Sequence, residues 1–249
     1  MNKVSLILTT YNSKDNLLKT INSIESQDYP EIEVVIKDGE STDGTLEIIK
    51  EYQEKSKYRV VWESKKDTGI YDAMNQGYMI SSGEVIAFFN DIFTTDSAIS
   101  KLIAKMEEIN PLTKKKYVGV HANLIYADGG KIVRKWEMGN GDIHQGWMPG
   151  HPTLFLKREI YEKYGLYNTN FKIAADYEFM IRFLKDGENQ IAYIPETLVS
   201  MFYGGTSSGG MHSYLISLKE GHKALKINGI KWAFYIDIRR TIRVLKQFC

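Results

Sequence analysis

Four short apolar runs in the first part of the chain, at residues 4–9 (VSLILT), 32–36 (IEVVI), 59–63 (RVVWE) and 85–89 (VIAFF), constrain the fold more than any other feature. The first three are each followed by a turn and then by apolar residues at helical spacing: Leu17, Leu18, Ile21 and Ile24; Leu46, Ile48, Ile49 and Tyr52; and a helix over about 70–79. Behind the fourth run, Ile99, Leu102, Ile103, Met106 and Ile109 mark another helix face. Strands alternating with helices predict an α/β fold, with a mainly parallel sheet covered on both faces. Ligands of such sheets bind outside the carboxyl ends of the strands. The loops after the strands are therefore where the chemistry is expected.

The second half reads differently. Residues 117–126 and 131–136, separated by Ala127-Asp128-Gly129-Gly130, predict a β-hairpin. Strand-like segments follow at 153–156, 190–194 and 197–203, with a helix marked by Tyr177, Met180, Ile181 and Leu184 and stopped by Gly187. The Gly-rich stretch 204–210 reads equally as a linker or as a lid closing over a ligand. Beyond it, aromatic and aliphatic residues mix with Lys231, Arg239, Arg240, Arg243 and Lys246. That mix suits a helix on an anionic membrane surface, and equally a helix packed on the domain with a solvated basic face.

Lys and Arg number 32 against 31 Asp and Glu, which argues against a dedicated nucleic-acid binder. A single cysteine, Cys249, permits neither an intrachain disulfide nor a thiolate zinc site, which suits a reducing, cytoplasmic setting. No signal-peptide pattern opens the sequence, and no apolar run reaches the ~20 residues of a spanning helix. His121, His144, His212 and His222 lack metal-ligand spacing.

The strand-end loops carry acids. No glycine fingerprint of a dinucleotide fold follows the first strand, and no P-loop occurs. Asp38 follows the second strand and Asp91 the fourth. Two acids at neighbouring strand ends can serve one pocket, one accepting hydrogen bonds from a base or ribose and the other holding a divalent cation. Asp43 suits a helix cap, since Gly44-Thr45-Leu46 opens a helix, and Asp96 suits another.

These segments, in order, resemble the family 2 glycosyltransferases: residues 4–12 (VSLILTTYN), 38–45 (DGESTDGT), 69–77 (GIYDAMNQG), 82–84 (SGE), 88–91 (FFND), 150–153 (GHPT) and 174–178 (AADYE). The resemblance spans about residues 3–208 and implies the GT-A fold, a Rossmann-like α/β architecture, here with a helical C-terminal tail. It implies a nucleotide-sugar-binding half over 1–100, an acceptor-binding half over 101–212 and a basic, aromatic extension over 213–249. Carried over residue by residue, it implies that Thr9, Tyr11, Asn12, Asp38, Asp72, Asn75, Asn90 and His151 bind the donor. Asp91 would hold Mn²⁺ or Mg²⁺, and Asp176 would be the general base. Glu178, two residues on, would face solvent or a basic neighbour.

One departure stands out. The family's segment after the fourth strand usually holds two acids, whereas Asn90-Asp91-Ile92-Phe93 holds one, which puts metal dependence in question. The implied activity is inverting transfer of a hexose or N-acetylhexosamine from a nucleoside-diphosphate donor, with UDP the expected nucleotide. The acceptor is a glycan or lipid-linked molecule of surface-polysaccharide biosynthesis. Residues 228–249 would meet the inner face of the cell membrane. The alternatives are a catalytically silent nucleotide-sugar binder and a subunit of a membrane assembly.

Overall fold

The computed structural model of the chain describes residues 1–202 and 211–245, so the lid-or-linker stretch and the last four residues lie outside it. The four apolar runs are strands β1 (Val4–Thr10), β2 (Ile32–Asp38), β3 (Arg59–Ser64) and β4 (Val85–Phe88). Helices α1 (Lys14–Glu25), α2 (Thr45–Lys55) and α3 (Ile70–Ile80) join them. All pair in parallel in the order β3-β2-β1-β4. Every residue of β2 is buried, as is all of β1 except Thr9. Leu6, Leu8 and Val34 point to one helical layer, and Ile7 and Val35 to the other.

The rest of the chain comprises β5 (Ile92–Phe93), α4 (Ala98–Met106), β6 (Gly119–Asp128), β7 (Lys131–Trp136), β8 (Phe155–Lys157), α5 (Arg158–Tyr164), α6 (Ala175–Leu184), β9 (Ile191–Phe202), α7 (Met211–Ile227) and α8 (Ala233–Leu245). The sheet continues from β4 through β8, β6 and β9 to β5, with β7 pairing β6 as the expected hairpin. β8 runs antiparallel to both neighbours, and β9 runs parallel to β6. The parallel order thus holds for the first half, and the second half is mixed. One core packs α1, α2 and α4 on the sheet through residues such as Leu17, Ile49 and Leu102. The other packs α3, α5, α6 and α8 through Met74, Ile160, Phe179 and Ile236.

Two local expectations change. The segments expected at 190–194 and 197–203 meet, within the described residues, in one strand, β9 (Ile191–Phe202), because Pro195, which has no N–H, and Glu196 bulge out while pairing with β6 resumes at Thr197. Asp96 does not cap α4; Ser97 holds the cap position, its hydroxyl turned to Thr95 Oγ1 and not to a helix N–H.

Candidate active site

A cavity of about 1110 Å³ opens where the carboxyl ends of β1 and β4 meet the second half of the chain. Leu8 to Tyr11 and Phe88 to Asp91 form its floor. Trp136, Met138, Trp147 and Met148 form one wall, and Asp176, Tyr177 and residues of α7 and α8 form another. This is the position that strand order alone assigns to a ligand.

At the β1 end, Thr9 and Asn90 clamp two strand ends together. The Thr9 N–H donates to Asn90 Oδ1 at 3.0 Å, and Asn90 Nδ2 donates to Thr9 Oγ1 at 2.9 Å. Tyr11 is 69% exposed, leaving its ring free to meet a planar ligand. Beside it, Gly39 admits Asp67: a Cβ at Gly39 would lie 2.8 Å from the Asp67 carboxylate and 3.4 Å from the Tyr11 ring. Asp67 lines the cavity, and the sequence reading did not single it out.

Asp91 sits just past β4, and its carboxylate accepts a 3.3 Å bond from the Phe202 N–H. Burial pushes its pKa up from 3.8 to about 7, and that one bond offsets only part of the shift. A buried carboxylate so sparingly hydrogen-bonded is chemically suited to bind a cation through oxygen. Among the described residues no group of three or more acids, histidines or cysteines is gathered to hold a metal. Asp91 therefore fits as a lone protein ligand, with the remaining positions left to phosphate and water.

Asp176 lies in the first turn of α6 and lines the cavity; its Oδ1 sits 3.0 Å from the Tyr71 hydroxyl, whose single proton is shared with the Ile173 carbonyl at 2.6 Å. The α6 cap residue, Ala174, has no side-chain acceptor of its own. Glu220 of α7 supplies one: its carboxylate accepts from the backbone N–H groups of Lys172, Ile173 and Ala174 at 2.8, 2.9 and 3.0 Å. An anion at a helix N-terminus also complements the helix dipole. Glu220 thereby fixes the loop that presents Asp176, and no local signal marks it in the sequence. His151 lines the same cavity, stacks on Phe88, and shares a 2.8 Å hydrogen bond between its Nε2 and the Tyr167 hydroxyl. Burial lowers its pKa, while Asp176 acts in the opposite sense, so the ring is neutral at pH 7.

Of the other expected donor ligands, four lie outside the cavity lining. Asp38 is fully buried, and its carboxylate accepts from the Thr10, Ser41 and Ser64 hydroxyls and the Ser41 N–H. Burial alone would raise its pKa, but those bonds outweigh it and hold it low. In this arrangement its lone pairs serve the loop after β2. Asp72 caps the start of α3 through the Thr68 N–H and hydroxyl and also holds Gln76. Asn75 exchanges two bonds with the Tyr167 backbone, and Asn12 accepts from the Thr42 N–H. Asp43 does cap its helix, accepting from the Thr45 N–H and hydroxyl. Glu178 is buried, not solvent-facing, and is bound by Arg182 and Asn228.

Residues 5–183 match the Glycosyl transferase family 2 profile, and the chain belongs to that family. Among curated relatives, a PGL/p-HBAD biosynthesis glycosyltransferase of Mycobacterium bovis BCG is 26% identical, covering 98% of this chain and 92% of its own. A dolichyl N-acetyl-α-D-glucosaminyl phosphate 3-β-D-2,3-diacetamido-2,3-dideoxy-β-D-glucuronosyltransferase of Methanococcus voltae is 27% identical, covering 83% and 68%. Staphylococcus aureus TarS in complex with UDP-GlcNAc superposes with a TM-score of 0.72 at 18% identity, covering 98% of this chain and 73% of that one. The mannosyltransferase PcManGT of Pyrobaculum calidifontis, in complex with GDP-Man and Mn²⁺, superposes at 0.69 with 17% identity, covering 98% and 74%. The fold is GT-A.

Proposed function

We propose that this chain is an inverting glycosyltransferase that moves a hexose or N-acetylhexosamine from a UDP-sugar to a glycan or lipid-linked acceptor in surface-polysaccharide biosynthesis. The observation that carries the reading is that Asp176, Asp91, Asn90 and Thr9 line one cavity outside the strand ends. Thr9, Tyr11 and Asp67 take the nucleoside. Asp176, oriented by the Tyr71 hydroxyl, accepts the proton of the acceptor hydroxyl as that oxygen attacks the anomeric carbon. The nucleoside diphosphate departs from the opposite face, so the configuration inverts. A positioned base of this kind contributes roughly 10²–10⁴ in rate. Asp91 would hold Mn²⁺ or Mg²⁺, which when bound stabilises negative charge on the departing diphosphate. Lys172, Arg240 and Arg243 add positive charge to the cavity wall. The relative that acts on a dolichyl N-acetyl-α-D-glucosaminyl phosphate supports the lipid-linked acceptor.

Thermal unfolding with UDP, GDP, CDP and dTDP in turn, each with and without Mn²⁺, tests the donor site. A nucleotide at about a hundred times its dissociation constant adds about 2.7 kcal/mol. For a chain of this size that is a melting shift of roughly 5–10 °C. A shift with UDP that needs Mn²⁺ supports both the site and Asp91 as ligand. A metal-independent shift keeps the site and removes the metal. No shift with any nucleotide overturns the reading.

A further inference from the structure

We propose that the outer face of α8, together with Trp232 just before it, is a docking surface for an anionic lipid bilayer. This deepens the lipid-linked-acceptor reading and rests on it for its purpose, while the surface itself is open to direct measurement.

The first observation is an exposed apolar stripe. Trp232, Phe234, Tyr235, Ile238 and Ile242 are 81, 73, 52, 44 and 47% exposed. At 3.6 residues per turn, the four within α8 fall inside an arc of roughly 100°. The opposite face holds Ala233 and Ile236, which are buried in the core. An exposed stripe of large apolar residues is the feature of a soluble surface that most needs a partner. Trp232 also adopts φ 62°, a left-handed conformation that is costly for a bulky side chain. Tryptophan and tyrosine favour the boundary between water and lipid.

Charge then selects the partner. Between residues 211 and 245 the sequence holds seven Lys and Arg against two acids, Glu220 and Asp237, in a chain whose net charge is only +1. Both acids turn inward. Glu220 binds the three N–H groups before α6, and Asp237 meets His222 at 2.6 Å and Arg240 at 3.6 Å. The outward side of the hairpin is left with apolar residues flanked by Lys231 and Arg239. An apolar stripe bordered by cations lies in the headgroup region of anionic membranes.

Placement gives the surface its use. Arg240, Thr241 and Val244, on the same helix, line the cavity that contains Asp176. An acceptor held in the bilayer by its lipid would thus meet the cavity about one helix diameter, ~10 Å, from the membrane surface.

The test is sedimentation of the full chain with vesicles of phosphatidylcholine alone or mixed with phosphatidylglycerol, at low and high salt. Light scattering without vesicles and the UDP-induced melting shift are measured in parallel. The double variant Ile238→Glu/Ile242→Glu alters only the stripe, and Leu112→Glu, 89% exposed elsewhere, controls for added charge. Expected is binding to the anionic vesicles that salt weakens, reduced roughly tenfold or more in the double variant and unchanged in the control, with melting temperature and UDP response preserved. No binding to either vesicle overturns the surface. So does a wild-type dimer that the double variant dissociates without any vesicle binding, which would make the stripe a contact between copies. Salt-sensitive vesicle binding without a UDP response supports the surface while overturning the donor reading.

Discussion

Ionising Asp91 works against the fold that positions it. Its carboxyl titrates near 7 in the folded chain and near 3.8 when burial is lost. A raised acid leaves the folded state favouring the protonated form, so this contribution falls as pH rises from about 4 through 7. Asp91→Asn keeps an acceptor for the Phe202 N–H and removes the buried charge. Calorimetry at pH 8 without divalent ions should show the variant more stable by about 1 kcal/mol or more, with the gain shrinking toward zero below pH 4. The same variant should lose any Mn²⁺-dependent response to UDP. Asp176→Asn tests the other acid: UDP binding should persist while turnover falls by roughly 10²–10⁴. Retained turnover would remove Asp176 as the base.

Two further residues contribute to the acid limb of stability. His121 is fully buried between Trp147 and Tyr193, and neither ring nitrogen has a hydrogen-bond partner. Burial depresses its pKa from 6.5 to about 3, so stability is lost as pH falls below 6.5. Burial would raise Glu33, but bonds from Ser82, Ser5 and Lys3 prevail and hold it at about 2. Its contribution is lost only below about 4.5. His121→Phe should therefore flatten the decline in melting temperature between pH 6.5 and 5. Glu33→Gln should leave that slope unchanged and cost roughly 2–3 kcal/mol at pH 7. Equal slopes in His121→Phe and wild type would place the acid sensitivity elsewhere.

At the scale of elements, Glu220 shows how one helix completes another. α6 begins at an alanine that cannot cap it, and a carboxylate from α7, 46 positions away from Ala174, takes that role. Glu220→Ala should cost roughly 1–3 kcal/mol in denaturant melts and should lower kcat more than the donor KM, because the disturbed loop carries Asp176. An unchanged kcat would leave Glu220 a structural cap only. The parallel half was legible in sequence because its signals are local: apolar runs, helical spacing and turn residues within a few positions. The cavity floor at Thr9, Tyr11, Asn90 and Asp91 was legible for the same reason, as each ends a strand. Asp38 also ends a strand, yet hydroxyls from β1, its own loop and the end of β3 consume its carboxylate. Asp72 turns one oxygen to Thr68 and Gln76, and Asn75 pairs with the Tyr167 backbone. Spacing locates a carboxylate on the chain, but it does not reveal which distant donors will occupy it.

At the scale of the whole molecule, the C-terminal hairpin joins the catalytic body instead of hanging from it. Ile230, Ala233 and Ile236 belong to the core on the α6 side. Arg240 lies over the Tyr177 ring with its guanidinium carbon 3.8 Å from the ring centre, and it packs so closely on α7 that a Cβ at Gly221 would come within 2.0 Å of it. Gly146, in the loop after β7, approaches α8 so closely that a Cβ there would lie 3.0 Å from the Ile236 carbonyl oxygen and the Arg240 nitrogen. These contacts make α8 part of the cavity wall, whatever its outer face meets. A chain ending at Asn228 should therefore lose more than an attachment. Removing two buried isoleucines alone costs about 3–6 kcal/mol by burial, and the opened cavity should abolish transfer even to a water-soluble acceptor. Ile238→Glu/Ile242→Glu, which leaves the inner face whole, should retain transfer to that acceptor. Comparing the two in one assay separates wall from surface: full activity in the shortened chain would show that the cavity does not need α8, and loss in both would show that the outer face serves the catalytic body itself.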